Sequence, residues 1–164
     1  MQSRFLLTLI LVFYLSLLTS IALADFTGRV VGVTDGDTIK VLHNGKAEKI
    51  RLHGIDCPEK AQPFGTKAKQ FTSAMVFGKM VRVLTHGRDR YGRTVADVIL
   101  PDGGNMNQAL VKVGLAWWYR QYAPHDDTLR ELEKQARTTR RGLWADPKPV
   151  APWCWRKLKK GRTC

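Results

Sequence analysis

The chain has 164 residues and a formal net charge of +13, from 27 basic and 14 acidic side chains. A chain of this length accommodates one domain with an apolar core and little besides. The positive excess disfavours cationic partners and favours polyanions such as nucleic acid, anionic lipid or acidic polysaccharide. Charge alone is also consistent with a basic surface that serves only solubility, so a function has to be inferred from motifs.

The first 24 residues have the pattern of an export signal. Arg4 precedes an almost uninterrupted apolar run from Phe5 to Leu23, which ends in Ala22-Leu23-Ala24. This pattern predicts a signal peptide cleaved after Ala24. The run could just span a bilayer, so an uncleaved anchor at residues 5–23 is the alternative. In both cases the basic start keeps the N-terminus inside, and we expect a periplasmic or secreted domain.

Cysteine and histidine do not form a zinc motif in this sequence. Cys154 and Cys164 can close a small terminal loop in an oxidising compartment, which leaves Cys57 unpaired. The four histidines are scattered along the chain, at His43, His53, His86 and His125. Their spacing predicts satisfied or solvated imidazoles instead of metal ligands.

The first half of the chain predicts three strands and a helix. Alternating apolar residues indicate strands at Phe26–Thr34, Thr38–His43 and Glu48–Ile55. Asp35-Gly36 and Asn44-Gly45 stand between them, and both dipeptides are strong hairpin signals. A helix is expected from about Thr66 to Phe77, with Gly78 ending it and one apolar face formed by Ala68, Phe71 and Met75.

The second half predicts two strands, Met80–Thr85 and Thr94–Leu100, followed by two helices. Asn105 can cap the first of these helices, which ends before Gly114. Thr128-Leu-Arg-Glu131 has the form of a capping box for the other, which Gly142 ends. This order predicts an α+β, mainly β fold, an OB-type barrel of five strands with three helices. We expect a catalytic domain at residues 25–144 and a basic tail beyond the core at residues 145–164.

Two acidic motifs can meet in such a fold. Asp35-Gly36-Asp37-Thr38 alone is equally well explained as a hairpin turn. The next strand brings Arg51, and in a meander it returns Asp56 toward Asp37, with Glu59 at the edge. The two aspartates could share one hard cation, and oxygen ligands of this kind suit calcium. The alternative for Asp56-Cys-Pro-Glu59 is a proline turn with a solvated carboxylate.

The third motif is the charged turn Asp89-Arg90-Tyr91-Gly92-Arg93. By itself it is better explained as a solvated loop. Together with Arg51, however, Arg93 can supply a second guanidinium. Two planar guanidinium groups are suited to bind the oxygens of a phosphoryl group in its transition state.

The ordered set of motifs resembles the thermonuclease (micrococcal nuclease) family from about Phe26 to Trp144. It consists of Val33–Ile39, Ile50–Glu59, Asp89–Arg93 and Gly114–Ala116. The resemblance implies an OB barrel with three helices and cleavage of DNA and RNA that leaves 3′-phosphates. It implies calcium held by Asp37, Asp56 and the backbone carbonyl of Cys57. The family's catalytic positions fall on Arg51, Glu59 and Arg93, and Arg90 and Tyr91 match residues that contact a neighbouring phosphate.

This sequence departs from the family pattern in two places. Cys57 stands where the best-known member has threonine, which matters little because only its carbonyl is needed. Trp117-Trp118-Tyr119 differs in spacing from the base-stacking tyrosine segment, so these aromatics could stack on a base or pack in the core. The competing function is a non-catalytic OB module that binds single strands. We expect a monomer with no obligate protein partner.

Overall fold

The computed structural model describes residues 24–164, so the predicted export signal lies, apart from Ala24, outside the described residues. The strands are β1 (Phe26–Asp35), β2 (Thr38–His43), β3 (Lys46–Leu52), β4 (Ile55–Asp56), β5 (Met80–Arg88), β6 (Thr94–Ile99) and β7 (Trp117–Trp118). The helices are α1 (Gly65–Val76), α2 (Met106–Lys112), α3 (Asp127–Thr138) and α4 (Pro152–Leu158), with a 3-10 turn at Gly142–Ala145.

Five strands close into a barrel in the order β1-β2-β3-β6-β5. All neighbouring pairs are antiparallel except β3 and β6, which run parallel. The fully buried side chains of the barrel strands include Ile39, Val41, Ile50, Val81, Val83 and Val98. These residues alternate with exposed ones, as expected for strands with one face in the core. The predicted α+β barrel is confirmed.

The third predicted strand, Glu48–Ile55, is wrong at its end. The chain turns at His53 and Gly54, and Ile55–Asp56 becomes a separate strand that pairs with Trp117–Trp118. Gly54 has φ +70°, and a Cβ there would press on Leu129 and Ala123. The break therefore needs glycine. The residues after it run to the end of the barrel where β1 turns into β2.

The helix caps agree with the sequence at α2 but not at α3. Asn105 caps α2 as predicted, with its side chain accepting a hydrogen bond from the Gln108 amide at 3.2 Å. The capping box predicted at Thr128 is wrong, because Asp126 is the cap and accepts from the Leu129 amide at 2.8 Å. The helix also ends at Thr138, before Gly142. An aspartate two residues earlier was the stronger acceptor for the free amides.

A fourth helix, absent from the sequence-based prediction, forms in the tail. Cys154 and Cys164 are bonded as a disulfide, and Cys57 is free and buried. The Trp153 ring stacks on Tyr119 at 5.1 Å between centroids, and the Gln62 amide donates to the Val150 carbonyl at 2.6 Å. The tail therefore packs against the domain instead of extending from it.

Within residues 24–164, no helix is long and apolar enough to cross a membrane.

Candidate active site

An open cleft of about 720 Å³ lies beside the end of the barrel where β1 turns into β2. Every side chain or carbonyl position that the sequence singled out lines it, namely Asp37, Arg51, Asp56, Cys57, Glu59, Arg90, Tyr91 and Arg93. The fold thus brings together residues from three separate motifs. Their individual roles in a reaction stay predictions.

Asp37 is fixed at the turn between β1 and β2. Its Oδ2 accepts a hydrogen bond from the Cys57 backbone amide at 2.7 Å, and its carbonyl accepts from the Leu52 amide at 2.9 Å. Gly36, beside it, packs so closely that a Cβ would lie 2.8 Å from atoms of Cys57 and Ala68. The first two acidic motifs are therefore held in direct contact.

Arg51 links the two buried aspartates. One guanidinium nitrogen lies 2.7 Å from Asp37 Oδ2 and the other 2.9 Å from Asp56 Oδ1. The side chain is only 14% exposed. Burial opposes its charge, but the carboxylates of Asp37 and Asp56 outweigh burial and raise the pKa of Arg51. Arg51 is thus a permanent cation between two acids.

Several acidic side chains lie close together around Asp37 and Asp56. Burial raises the pKa of Asp56, opposed by its hydrogen bond to Arg156. Burial, together with the charge of Asp37, raises the pKa of Asp35 to about 6. Carboxylates this close repel one another and gain from any additional cation placed among them.

Glu59 lies in the turn that follows β4, and its backbone position is set by close packing. A Cβ at Gly65 would collide with the Glu59 carbonyl, and the Glu59 amide donates to the Gln62 side chain at 3.1 Å. Its carboxylate Oε1 lies 2.7 Å from a guanidinium nitrogen of Arg156. That contact spans 97 residues of sequence.

Arg156 is the functional-site residue that sequence reasoning missed. Besides Glu59, it binds Asp56 Oδ2 at 2.7 Å. Burial opposes its charge, but the hydrogen bonds to Asp56 and Glu59 raise the pKa of Arg156. In the sequence it is one of five basic residues in the last nine positions. The neighbouring Trp153, Trp155 and disulfide-forming cysteines were the only signal that the segment folds.

The charged turn between β5 and β6 holds Arg93 against Asp89. The Arg93 Nε donates to Asp89 Oδ2 at 2.7 Å, and the hydrogen bonds of Arg93 lower the pKa of Asp89 despite burial. Arg90 donates to the Tyr91 hydroxyl at 2.7 Å. The cleft side of this turn is therefore cationic and aromatic, as the motif predicted.

Two histidines that look unrelated in sequence meet at the other side of the cleft. The rings of His53 and His86 stack at 3.9 Å, and His86 Nε2 lies 2.8 Å from Asp97 Oδ2. The ligand atoms of the three residues lie within 4.8 Å of one another, a group that could hold a metal ion. Burial and the charge of His86 lower the pKa of His53. The spacing of the histidines along the sequence did not indicate this contact, which arises because the fold brings His86 of β5 beside His53.

The aromatic segment divides between core and cleft. Trp118 is buried and donates its indole N–H to the Ala123 carbonyl at 2.8 Å, so this tryptophan is core. Tyr119 and Tyr122 line the cleft, with Tyr122 62% exposed. Nothing in the periodicity around Tyr122 indicated that placement.

In a basic protein, a cleft of carboxylates and guanidinium groups at the end of a barrel is a site suited to an OB-barrel hydrolase that acts on phosphate esters. Anionic substrates are attracted by the surface charge, and the arginines match the geometry of phosphate oxygens.

Comparison with known proteins makes this specific: the chain belongs to the staphylococcal nuclease homologue family, whose model matches residues 49–146. The chain is 49% identical over 136 residues to an uncharacterized endonuclease of Escherichia coli, covering 83% of this chain and 88% of the relative. It is 44% identical over 151 residues to a micrococcal nuclease of Shigella flexneri, covering 87% of both. The family is one of nucleases, hydrolases that act on nucleic acids.

Proposed function

We propose that the protein is an exported, calcium-dependent nuclease that hydrolyses phosphodiester bonds of DNA and RNA and leaves 3′-phosphate products. The observation that carries the proposal is the joint contact of Arg51 with Asp37 and Asp56, beside Glu59 and in one cleft with Arg93. A module that only binds nucleic acid has no use for buried carboxylates at a phosphate site, which repel the substrate. The non-catalytic alternative is therefore disfavoured.

The donor set fits a hard cation. Asp37 and Asp56 are buried acids whose present partners are cationic, N–H or hydroxyl donors, and a pocket rich in carboxylate oxygens suits calcium. Asp37 and Asp56, with the carbonyl of Cys57, would hold the ion. A calcium ion there would polarise a phosphoryl oxygen and offset the charge that develops on it.

The protein groups supply the remaining chemistry. Glu59 is 41% exposed at the edge of the cleft, where its carboxylate can orient a water and accept its proton. Arg51 lies beside the metal ligands, and Arg93 approaches from the β5–β6 turn. Their guanidinium groups stabilise the extra negative charge on the phosphoryl oxygens in the transition state. Arg90 and Tyr91 line the same cleft and would contact an adjacent phosphate.

The first prediction concerns metal dependence. DNA cleavage should require calcium in the millimolar range or below and disappear with chelator, because the oxygen pocket needs the ion to bind the phosphate. Cleavage of labelled DNA with and without chelator measures this, and analysis of product ends tests for 3′-phosphates. Full activity in excess chelator contradicts the proposed calcium dependence.

The same assay locates the ion, because the cleft offers a competing site. His53, His86 and Asp97 present nitrogen and oxygen ligands, a set typical of zinc or another transition ion. Asp37→Asn and Asp56→Asn should abolish the calcium response, whereas His86→Gln should leave it intact. The reverse pattern would assign the metal to the histidine group.

Export is proposed on the pattern of residues 1–24 and on the disulfide. A bond such as Cys154–Cys164 persists in oxidising compartments and is rare where thiols are kept reduced.

A further inference from the structure

The C-terminal helix α4 makes two ion pairs with the acids of the cleft. Arg156 contacts Glu59 Oε1 at 2.7 Å and Asp56 Oδ2 at 2.7 Å, and its Nη1 is 3.3 Å from Asp56 Oδ1. One guanidinium therefore bridges the proposed general base and a proposed metal ligand. The planar fork of arginine suits such a two-carboxylate contact, whereas the point charge of lysine does not.

The segment that carries Arg156 is well anchored. Trp153 stacks on Tyr119 and contacts Trp117 edge-on at 5.6 Å between centroids. Ala151 and Pro152 are buried where the helix begins. The Cys154–Cys164 disulfide closes the segment on itself, two residues from Arg156. Arg156 thus lies on a helix that is packed against the domain and not on a loose basic tail.

A second tie joins the segment to the Glu59 turn. The buried Gln62 side chain accepts a hydrogen bond from the Glu59 amide and donates one to the Val150 carbonyl. The backbone of Glu59 and the start of the tail are therefore linked through one amide. Its carboxylate is linked to the same tail through Arg156.

Among the contacts of the described residues, Arg156 is the only charged partner of the Glu59 carboxylate. A base that must take a proton from water works best when a third group fixes its direction. We propose that Arg156 is a positioning residue, which holds Glu59 at its place in the cleft and shares Asp56 with the metal. This inference rests on the proposed function, since it assigns Arg156 a role through Glu59.

The contact has a consequence for the ion as well. Asp56 Oδ2 is occupied by Arg156, and a cation bound by Asp56 has to share that carboxylate or displace the guanidinium. Removing the charge of Arg156 frees an oxygen and increases the negative potential of the pocket. Calcium affinity should therefore rise when Arg156 is neutralised, although turnover falls.

A double-mutant cycle on the full-length protein tests the positioning role. Arg156→Gln should lower kcat about tenfold or more with little change in KM, whereas in a Glu59→Gln background it should cost nothing further, because both act through one group. Arg156→Lys should retain part of the wild-type rate. If the Gln variant is unstable, the Lys variant takes its place in the cycle. Arg162→Gln, an equal charge change at an exposed tail position, should keep the wild-type rate.

Calcium titration by calorimetry, without substrate, provides a second readout. Arg156→Gln should bind calcium several-fold more tightly than wild type, and Arg162→Gln should not. Equal loss of kcat in both backgrounds of the cycle, or weakened calcium binding, would overturn the inference. A wild-type rate for Arg156→Gln with a slow Glu59→Gln refutes this inference alone. A wild-type rate for Glu59→Gln refutes the role proposed for Glu59 and, with it, this inference.

Discussion

Arg51 and Arg93 are equivalent in the proposed chemistry but not in their surroundings. Arg51 is 14% exposed and pairs with two buried aspartates, whereas Arg93 is 27% exposed and pairs with Asp89 in a surface turn. Removing one partner of a buried ion pair leaves an uncompensated charge, but the same change near the surface costs little. Residues with one catalytic role can therefore differ in their effect on stability.

This contrast gives a prediction for two alanine variants. Arg51→Ala and Arg93→Ala should each reduce turnover by about two orders of magnitude or more, the scale of losing one transition-state contact. In calcium-free buffer only Arg51→Ala should also lower stability, by about 3–5 kcal/mol. Single-turnover kinetics and urea unfolding measure the two effects. A near-normal rate for Arg93→Ala would show that the pairing of the two arginines is wrong.

At the level of elements, the site depends on the junction between the turn after β4 and the start of α1. Gly65 opens α1 directly against the Glu59 backbone, and no side chain fits between them. The Gly65 amide also donates to the Gln62 carbonyl at 3.0 Å, which closes the turn. The helix thus acts as the support for the carboxylate that is proposed to handle the water.

Gly65→Ala tests this support. The added methyl group should displace the Glu59 turn, because its neighbour is backbone and not a flexible side chain, and we expect at least a tenfold loss of kcat together with a lower thermal midpoint. Gly32→Ala in β1 is the matched control. Its Cβ would lie 3.4 Å from the Lys40 side chain, an ordinary contact. Equal behaviour of the two variants would contradict the proposed support.

At the scale of the whole molecule, the net charge and the disulfide are consistent with the predicted export signal. A net charge of +13 attracts polyanions over long distances at low salt, and the Cys154–Cys164 bond fits an oxidising environment. These features together support synthesis with a leader and action outside the cytoplasm.

Export is tested by the mature N-terminus. After expression in a bacterial host, we expect periplasmic or medium fractions to contain protein that begins at Asp25, since Ala22-Leu23-Ala24 has the small residues a signal peptidase needs. N-terminal sequencing of the fractionated protein decides this. Full-length protein in the membrane fraction would support the anchor, and full-length protein in the cytoplasm would contradict export.

The sequence predicted the barrel well because its strands follow local rules. Alternating burial and the Asn44-Gly45 turn, where both residues have positive φ, are encoded within a few positions. The Asp126 cap was missed because Thr128, a competing cap residue, lies two residues away. The break at Gly54 was missed because it lies one residue before the predicted end of the strand at Ile55. Contacts that join distant parts of the chain, such as Arg156 with Glu59 or His53 with His86, have no local signature.

The closed barrel also governs how the molecule comes apart. β1–β3 and β5–β6 meet along two seams, β1 with β5 and β3 with β6, and either group alone would leave open edges and an uncovered apolar face. The cleft draws Asp37 and Arg51 from the first group and Arg93 from the second. Opening the β3–β6 seam, where Arg51 pairs with Val95, therefore separates the catalytic groups at the same moment that it exposes the core. We expect a molecule opened along that seam to lack activity.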